Sequence, residues 1–340
     1  MGEGGRSKYT QAHLDLPPLL FERSHPENPK NTMQHFSSID DVHLRDVWLS
    51  IGAFDGVHKG HRKLIHELVA GAHAEGVPAV VFTFYPHPAA ILRGRNYPFY
   101  LNTPEEKAEL LGGLGVDVVI THPFNRDVAN TSAYNFILDL NRHLNIRHLQ
   151  LGYDFALGKN RDGDISTLQR LGEKFGYTVE QTQPVVAGGS VISSSRIRFL
   201  LGAGQVEEAA LLLGRNYKIQ GLIEIGEQRG RTLGFPTANL AVWSERILPT
   251  AGVYACRAAV RGKTWGAVTN IGVRPTFEPH PVPPRVETHL LDFDADIYGE
   301  SIQVEFVSRL RAECRFPSIE ELVTQIKKDV EQARGEWRMT

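Results

Sequence analysis

The segment IGAFDGVHKGHRKLI, residues 51–65, places a glycine-rich corner and two histidines directly before an amphipathic helical pattern. The apolar run Val47 to Ile51 that precedes it is typical of a buried strand, and the helical pattern continues to about Gly76. A corner between strand and helix directs free backbone N–H groups and the positive end of the helix dipole to one point. The segment therefore predicts a phosphate site that His58 and His61 face together.

Within this corner, Gly52, Gly56 and Gly60 allow the backbone to approach a ligand closely. Asp55 is expected to brace the corner by accepting hydrogen bonds from backbone N–H groups, although ordinary turns also favour aspartate. The His-x-Gly-His pattern alone is a weak signal, because paired histidines at helix starts also serve as caps or surface residues. The glycines and the preceding strand favour the phosphate site.

A second candidate element is ISSSRIR, residues 192–198. Ser193 or Ser194 can cap the helix that follows, and its N-terminal amides together with Arg196 and Arg198 are suited to a polyphosphate tail. The same pattern is also typical of a capped surface helix with basic residues. Taken by itself, the heptapeptide slightly favours that second interpretation.

The charge balance argues against a polyanionic partner. The chain of 340 residues has 37 Lys and Arg against 39 Asp and Glu, so it lacks the general basic surface of a nucleic-acid or acidic-membrane binder. No apolar run reaches the ~18 residues that span a bilayer, and the N-terminus lacks a signal-peptide core. We expect small-molecule partners, no nucleic acid, no membrane and a possible homo-oligomer.

Cysteine usage points to a reducing compartment. Cys256 and Cys314 are the only two cysteines, too few for a disulfide framework and too far apart for a CxxC metal pair. We interpret both as structural thiols of a cytoplasmic protein.

The length suggests two domains after a tail. Residues 1–32 are polar, contain prolines and lack periodicity, which predicts a disordered segment, with Met33 as a possible alternative start. From Val47 to about Leu213, apolar runs alternate with helical patterns, which predicts a parallel sheet. The predicted strands are Val47 to Ile51, Ala79 to Phe84, Val116 to Thr121, His148 to Leu151 and Tyr177 to Gln181.

Helix signals lie between these strands. Thr103, Pro104 and Glu106 occupy the N-cap, N1 and N3 positions of a capping box. Further helices are predicted over Ser132 to Leu144 and Ile165 to Phe175, and a helical pair over residues 195–213. The polar residues that follow, 214–218, are the predicted linker between domains 33–213 and 219–335.

After Tyr217 the chain becomes rich in β segments separated by Gly and Pro turns, which predicts a small antiparallel barrel. The predicted strands are Tyr217 to Glu224, Val253 to Val260, Thr264 to Ile271, Arg285 to Leu291 and Ser301 to Leu310. A terminal helix capped by Ser318, with Glu321 at N3, is expected to cover an open side of the barrel.

The barrel segment carries its own chemical motif. GEQRGRTLGFPTANL, residues 226–240, combines glycines such as Gly230 and Gly234 with arginines, a composition suited to wrapping phosphates with backbone amides. Glycine loops of this kind are common, whereas the FPTAN pentapeptide is rare. Without further context, Thr237 is more typical of a turn residue.

Together these motifs resemble those of bacterial bifunctional riboflavin kinase/FAD synthetases. The two histidines and SSSRIR resemble the adenylyltransferase half, as do TFYPHP at 83–88 and LGYDFALGKNRDGD at 151–164. FPTAN resembles the riboflavin kinase signature, which NIGVRPTF at 270–277 and VETHLLDFDADIYG at 286–299 continue. The resemblance extends from Met33 to the C-terminal helix.

The resemblance implies an α/β nucleotidyltransferase domain with a parallel, Rossmann-like sheet, followed by a β-barrel riboflavin kinase domain with a C-terminal helix. It also implies Mg²⁺, ATP as substrate, and riboflavin, FMN and FAD as substrates or products. The implied catalytic residues are His58, His61 and Glu287. The implied ATP and phosphate residues are Gly52, Phe54, Asp55, Gly60, Ser193, Ser194, Ser195, Arg196, Arg198, Gly230, Gly234, Thr237 and Asn239. The implied flavin residues are His87, Asp154, Phe155 and Arg285, and the implied metal ligands are Thr237 and Asn239.

Four positions depart from the commonest family pattern. Tyr85 stands where an acidic residue is frequent, and Leu157 stands where an aromatic residue is usual. Ile225 and Gln228 replace residues often seen as His and Gly. We expect Leu157 to loosen flavin contacts and the other pair to change nucleotide affinity more than chemistry.

The two reactions make different demands. The terminal phosphate of FMN is ionised at neutral pH, so it attacks the α-phosphorus of ATP without a general base, and charge stabilisation is the main task. The ribityl hydroxyl of riboflavin is not ionised, so its phosphorylation benefits from a carboxylate base. The resemblance assigns that base to Glu287, which by strand alternation alone is an ordinary half-exposed glutamate.

Two alternatives remain open at the level of sequence. The chain could be a nucleotidyltransferase for another phosphorylated metabolite or a truncated aminoacyl-tRNA synthetase-like fold, although neither explains FPTAN or Glu287. It could also be a non-catalytic flavin or nucleotide sensor that retained the pockets. Against the sensor stands the presence of His58, His61, Asn239 and Glu287.

Overall fold

The structure is a computed structural model that describes residues 33–94, 98–226, 229–272 and 284–338. The predicted disordered tail of residues 1–32 and the departure at Gln228 lie outside the described residues. Among the described residues, no helix is both long and apolar enough to cross a bilayer.

The N-terminal domain is built on a parallel sheet with the strand order β1-β4-β3-β2-β5-β6. Its strands are β1 (Gln34–Phe36), β2 (Val47–Ile51), β3 (Ala79–Tyr85), β4 (Val118–Pro123), β5 (Ile146–Gly152) and β6 (Thr178–Thr182). The predicted parallel sheet is confirmed. The strand β1 was not predicted, because three residues are too short to display a period.

Helices connect these strands, and a small hairpin precedes the last pair. The helices are α1 (Lys59–Ala74), α2 (Pro88–Arg93), α3 (Pro104–Gly112), α4 (Arg126–Asn130), α5 (Ala133–Leu144), α6 (Ile165–Phe175), α7 (Ser194–Gly202) and α8 (Val206–Leu213). The hairpin is formed by β7 (Val186–Ala187) and β8 (Ser190–Val191). The capping box predicted at the start of α3 is confirmed, with both reciprocal hydrogen bonds of Thr103 and Glu106 present.

Both faces of the sheet are covered, which explains why its central strands are continuous apolar runs. Helices α1 and α3 pack on one face, around Ile65, Leu68 and Leu111. Helices α5 and α6 pack on the other face, around Ile137 and Leu168. The carboxyl ends of the strands are therefore the open edge of the sheet, where ligands of such folds bind.

The C-terminal domain is a closed antiparallel barrel with the strand order β10-β13-β12-β11-β14-β9. Its strands are β9 (Tyr217–Glu224), β10 (Ala238–Val242), β11 (Gly252–Val260), β12 (Lys263–Gly272), β13 (Arg285–Leu290) and β14 (Ser301–Arg311). The strand β10, which follows FPT, was missed. The short helix α9 (Arg229–Thr232) precedes it.

The last helix, α10 (Ile319–Arg338), begins after Ser318, whose hydroxyl accepts a hydrogen bond from the Glu321 amide at 3.2 Å. The predicted cap is confirmed. The expectation that this helix closes an open side was wrong, because the barrel is closed by the pairing of β9 with β10. Instead, α10 packs on the outer surface of β11 and β12, where Ala333 and Val330 join a small apolar cluster.

The two domains share one apolar core. Residues of α7 and α8 belong to the same buried cluster as the interior of the barrel. Backbone pairing adds to this contact, since the Tyr100 amide donates to the Glu245 carbonyl at 3.0 Å and the Ile247 amide to the Tyr100 carbonyl at 3.0 Å. The predicted linker at residues 214–218 overlaps β9, which begins at the buried Tyr217.

Candidate active sites

The corner between β2 and α1 has an unusual backbone. Phe54, Gly56 and Val57 have φ values of +47°, +85° and +38°, in the left-handed region. A Cβ atom on Gly56 would also lie 2.7 Å from Leu101 Cδ1, so only glycine fits there. The Gly52 amide donates to the Phe82 carbonyl at 3.0 Å, which makes this glycine part of the sheet edge and not a phosphate donor.

The two histidines lie side by side at the start of α1. His58 is the N-cap residue, and its Nδ1 accepts a hydrogen bond from the His61 amide at 3.3 Å. The two imidazole rings stack with centroids 3.6 Å apart, and the Phe54 ring packs against His61 in a T-shaped arrangement with centroids 5.3 Å apart. The predicted proximity of the pair is therefore present in the structure.

Burial keeps both histidines neutral. Desolvation, with smaller contributions from the charges of Arg215 and Arg198, lowers the pKa of His58 to about 4. Desolvation, followed by the charges of His58 and Lys107, also lowers the pKa of His61 well below its usual value. A neutral imidazole carries one N–H that it can donate to a phosphate oxygen. The buried Nδ1 of His61 has no hydrogen-bond partner among the described residues.

The N-terminus of α7 lies beside that of α1. The Ser194 hydroxyl donates to the Asp55 carbonyl at 2.7 Å, and Ser193 caps α7 by accepting from the Arg196 amide at 3.3 Å. A Cβ atom on Gly60 would contact the His58 ring at 3.1 Å, so this glycine allows α1 to begin directly under the histidine. Ser195 is exposed on the first turn of α7. The start of α7 thus contacts the corner that precedes α1, a contact that the sequence did not predict.

The Asp55 carboxylate holds the corner against the rest of the domain. It is buried and accepts hydrogen bonds from the Leu101 amide at 3.0 Å and from Arg198 Nη2 at 2.5 Å. Arg198 also donates through Nε to the Phe99 carbonyl at 2.7 Å and lies 3.7 Å above the Phe99 ring. The predicted bracing by Asp55 is present, but its partners come from other segments.

Both arginines of the SSSRIR motif have protein partners. Arg196 donates to the Ala187 carbonyl at 2.7 Å and to the Ser190 carbonyl at 3.2 Å, which ties α7 to the β7–β8 hairpin. The structure thus gives Arg196 and Arg198 positions in the framework of the site. Their predicted contact with a polyphosphate stays a prediction.

Two cations of the site, the buried Lys107 and the half-buried Arg215, were not predicted from the sequence. Lys107 donates through Nζ to Thr83 Oγ1 at 2.8 Å and to the Ala53 carbonyl at 3.1 Å, beneath the corner. Desolvation lowers its pKa to about 8. Arg215 donates to carbonyl oxygens of the corner from the other side. Lys107 lies on an amphipathic helix and Arg215 in a polar connection, so their residue types alone indicated solvent exposure.

Three of the four residues predicted to bind flavin, His87, Asp154 and Phe155, follow the carboxyl ends of β3 and β5, whereas the fourth, Arg285, belongs to the barrel. His87 caps α2 through Nδ1, which accepts from the Ala89 amide at 3.0 Å, and the His87 amide donates to the Tyr100 hydroxyl at 2.8 Å. Asp154 is exposed, whereas Phe155 packs with the apolar cluster between α5 and the sheet. His87 therefore holds its loop in place, and its contact with flavin stays a prediction.

A cavity of about 340 Å³ opens between α5 and the sheet. Its lining includes Phe82, Phe136 and His122. Leu157 packs against the same apolar cluster and pairs with Gly163 through reciprocal backbone hydrogen bonds of 3.1 and 2.9 Å. The size of the cavity falls within the range of small-molecule sites.

The second candidate site is a row of polar side chains across the barrel. Asn239 pairs with Glu287 and with Glu224, and Glu287 pairs with Asn270. Directly opposite residues of antiparallel strands direct their side chains to the same face. Since the neighbours of Asn239 and Glu287 along their strands are buried in the barrel core, this row lies on the outer surface.

Glycines allow the preceding loop to close over this row. A Cβ atom on Gly226 would lie 2.1 Å from Asn239 Nδ2, and one on Gly230 would lie 2.4 Å from the Phe235 carbonyl and 3.4 Å from Thr237 Oγ1. Gly234 has a φ of +86°, which makes the turn before FPT. Gly226 and Gly230 thus let the backbone approach Asn239 and Thr237 closely.

One side of the loop is fixed by His289 of β13. Its Nδ1 lies 2.8 Å from the Pro236 carbonyl, and the Phe235 ring meets the histidine edge-on at 5.6 Å. Arg285 lies exposed at the start of β13, and Ile225 is 74% exposed at the end of β9. The departure at Ile225 therefore places an apolar side chain at the surface beside the loop.

The donor set of this site consists of hard oxygens. Thr237 offers a hydroxyl, Asn239 an amide oxygen and Glu287 a carboxylate, the kinds of ligand that suit Mg²⁺. Within the described parts of the chain, no group of three or more His, Cys, Asp and Glu side chains could hold a metal by itself.

Comparison with known proteins identifies the two domains. The family model described as FAD synthetase matches residues 40–196, and the one described as riboflavin kinase matches residues 213–336. The bifunctional riboflavin kinase/FMN adenylyltransferase of Bacillus subtilis (strain 168) is 40% identical over 288 residues, which cover 84% of this chain and 90% of that protein. The chain belongs to this bifunctional family.

Other relatives agree over the same length. The bifunctional riboflavin kinase/FMN adenylyltransferase of Escherichia coli (strain K12) is 38% identical over 294 residues, 86% of this chain and 93% of that protein. A crystal structure from Streptococcus pneumoniae, described as a macrolide-efflux protein, superposes with a TM-score of 0.81 at 31% identity and covers 89% of this chain and 98% of that one. The two-domain fold is thus shared by an experimentally determined structure.

Family membership makes the chain an enzyme of flavin cofactor biosynthesis, with a riboflavin kinase domain and an FAD synthetase domain. ATP and the flavins riboflavin and FMN are the substrates that fit these domains. A nucleotidyltransferase for an unrelated metabolite does not account for the matched kinase domain.

Proposed function

We propose that the barrel transfers the γ-phosphoryl group of ATP to riboflavin to give FMN, and that the N-terminal domain transfers the adenylyl group of a second ATP to FMN. The products of the second reaction are FAD and pyrophosphate. The observation that carries this assignment is a difference between the sites. The barrel row contains a carboxylate at Glu287, whereas the corner presents two neutral imidazoles at converging helix N-termini.

In the kinase reaction, Glu287 accepts the proton of the ribityl hydroxyl as the oxygen attacks the γ-phosphorus. The proton must leave during the attack, because the alcohol is not ionised at neutral pH. Thr237 and Asn239 would hold Mg²⁺, which supplies charge neutralisation of the ATP phosphates. Backbone amides of the Gly230 and Gly234 loop wrap the phosphates, and Arg285 lies where it can approach the flavin.

In the adenylyl transfer, an ionised oxygen of the FMN phosphate attacks the α-phosphorus and pyrophosphate leaves. No proton has to be removed, so His58 and His61 act as N–H donors that stabilise the developing charge. The free Nδ1 of His61 in the described structure supports this role. The serines at the start of α7, with its free amides, receive the leaving pyrophosphate.

We assign the flavin ring of FMN to the cavity between α5 and the sheet. The half-buried Phe136 offers an aromatic surface above the fully buried Phe82, and Phe155 packs with the same apolar cluster. We assign contact with the ribityl chain to the exposed Asp154, which follows β5. Substitution of Phe136 with Ala should raise KM for FMN and leave KM for ATP in the same reaction unchanged. A change confined to ATP would refute this placement.

We assign the enzyme to the cytoplasm, where ATP is available and thiols stay reduced. Burial inside the barrel raises the pKa of Cys256 to about 12, so this thiol stays protonated, while Cys314 is exposed. A cytoplasmic fraction that lacks the protein would contradict the assignment.

The decisive experiment is an assay of the purified chain with riboflavin, ATP and Mg²⁺, followed by chromatographic separation of the flavins. Successive accumulation of FMN and FAD is expected, and FMN supplied alone with ATP should yield FAD. Omission of Mg²⁺ should abolish FMN formation. Binding of flavin without turnover would instead support the sensor alternative.

A further inference from the structure

The connection between α8 and β9 lies on the first turn of α1. Gly214 ends α8 with a φ of +75°, and a Cβ atom placed on it would lie 3.3 Å from Lys59 Cε and 3.6 Å from Arg62 Nη1. The chain thus passes from one domain into the other directly beside the adenylyltransferase corner. The positive φ, which L side chains rarely adopt, explains why a glycine precedes Arg215.

Arg215 extends from this connection to the corner. Its Nη2 donates to the Gly56 carbonyl at 2.7 Å and its Nη1 donates to the Val57 carbonyl at 3.1 Å. Gly56 and Val57 both have positive φ values, and they directly precede His58. Since the riboflavin kinase family model begins at residue 213, the residue that holds the adenylyltransferase corner belongs to the kinase part of the chain.

These hydrogen bonds act on the orientation of the catalytic residue. In a trans peptide the carbonyl and the following N–H point in opposite directions, so holding the Val57 carbonyl also directs the His58 amide. Val57 is β-branched and has a φ of +38°, a strained conformation that persists only where its surroundings enforce it. A planar guanidinium with two donors in a fixed fork is suited to that task.

Arg215 also contributes charge. Burial lowers its pKa to about 10, so it stays protonated at neutral pH and faces the histidine pair. The other titratable groups that act on the pair are Arg198 from α7 and Lys107 from α3. Arg215 and Arg198 disfavour protonation of both histidines, Lys107 disfavours protonation of His61, and the three cations create a positive surrounding for the phosphates of ATP.

We propose that Arg215 is a positioning residue for FMN adenylylation, supplied by the kinase part of the chain to hold the Gly56 and Val57 carbonyls and thereby align His58 and the start of α1 with the triphosphate. The proposal rests on the proposed function of the N-terminal domain. According to this proposal, FAD formation requires a residue from the kinase part of the chain. Riboflavin phosphorylation uses other residues and does not require Arg215.

The test compares Arg215→Gln and Arg215→Lys in the full chain, with Arg147→Gln as a matched control on the exposed surface of β5. Arg215→Gln should reduce kcat for FMN adenylylation by roughly 10- to 100-fold, since misplacement by about 1 Å can cost that much. Riboflavin phosphorylation by the same molecules should stay within about twofold of the wild type, which also reports that the variant is folded.

The pH dependence of FMN adenylylation distinguishes the charge of Arg215 from the geometry of its guanidinium. Arg215→Lys retains the charge but loses the fork, so it should lower kcat while leaving the acid limb of the adenylylation profile in place. Arg215→Gln loses the charge as well, so its acid limb should move to higher pH. A residue with a merely structural role would lower the amount of active protein without moving the profile.

The outcomes are distinguishable from a failure of the proposed function. If the wild type phosphorylates riboflavin but forms no FAD from FMN, the function assigned to the N-terminal domain is wrong. If the wild type forms FAD and Arg215→Gln matches it, the positioning role is wrong. An equal loss of both activities in both Arg215 variants would likewise overturn it, because the effect would then be general.

Discussion

Arg246 and Glu106 form an ion pair that is buried between the two domains, with 2.5 Å between Nη1 and Oε2. Arg246 is 2% exposed and Glu106 is 8% exposed. The same Glu106 oxygen accepts the Thr103 amide at 3.0 Å in the capping box of α3. Arg246 additionally donates to the Lys218 carbonyl and to the Tyr217 hydroxyl, so the pair links the start of α3 to the first barrel strand.

Replacing Arg246 with Met should lower the free energy of unfolding by about 3–5 kcal/mol, because Glu106 would stay buried without its counter-ion. The measurement is urea-induced unfolding at pH 7, followed by far-UV circular dichroism. The exposed pair of Arg147 and Asp46 provides the comparison, since Arg147→Gln should cost no more than about 1 kcal/mol.

The double variant Glu106→Gln, Arg246→Met distinguishes pairing from packing. Glutamine still accepts the Thr103 amide but carries no charge, so the double variant should recover a large part of the stability lost by Arg246→Met. Additive losses would show that the buried charge is not the cause.

This pair also illustrates what the sequence can and cannot predict. The capping box is a local pattern of residues three apart, so Thr103 and Glu106 predicted the start of α3 correctly. The partner of Glu106 follows 140 residues later, and no period or spacing connects the two. The same limit explains the missed strand β10, which is defined by its pairing with β9 and β13 more than by its own short sequence.

In the candidate sites, too, the sequence predicted local arrangements but not contacts between distant segments. His58 and His61 are three residues apart at a helix start, so their proximity follows from helix geometry. Arg198 was assigned to phosphate by its motif, but its partner Asp55 lies on a different strand–helix corner. Lys107 and Arg215 were missed because burial of a cation depends on which carbonyl oxygens the fold brings to it.

Exchange of single catalytic residues should separate the two activities. Glu287→Gln removes the base but keeps the size of the side chain, so FMN formation should fall by about 10²–10⁴-fold while FMN adenylylation continues. His58→Asn should do the reverse, with FAD formation falling by roughly 10²–10³-fold. Steady-state rates with riboflavin and with FMN as separate substrates measure both.

Each variant serves as the control for the other, since the activity that it retains reports a folded chain. A crossed result, in which Glu287→Gln blocks FAD formation from FMN, would show that the two reactions are assigned to the wrong domains. Rates equal to those of the wild type in both variants would contradict the mechanism.

Gly226→Ala should disable the kinase without a change in the catalytic groups. The new Cβ atom would lie 2.1 Å from Asn239 Nδ2, so Asn239 or the loop must move. Riboflavin phosphorylation should fall by about 10- to 100-fold, and KM for ATP should rise, because misplacement of about 1 Å has effects of this size.

The matched control for this glycine is Gly335 in α10. A Cβ atom there meets nothing within 4 Å, and the residue lies inside a helix. Gly335→Ala should therefore leave both activities intact and raise the free energy of unfolding by about 0.5–1 kcal/mol. A loss of kinase activity in both glycine variants would show that the effect at Gly226 is not specific to Asn239.

The neutral state of His58 should be visible in the pH dependence of stability. The pKa of His58 is 6.5 in the unfolded chain and about 4 in the folded chain. Between these two pH values the unfolded chain therefore binds a proton at His58, whereas the folded chain does not. The folded state therefore keeps its full stability above pH 6.5 and loses up to ~3 kcal/mol from this residue as the pH falls to 4. Asparagine at this position removes the titration and still caps α1. When the pH is lowered from 7 to 5, the free energy of unfolding measured with urea should fall by roughly 2 kcal/mol less for His58→Asn than for the wild type. Equal decreases in the two proteins would show that His58 is protonated in the folded enzyme.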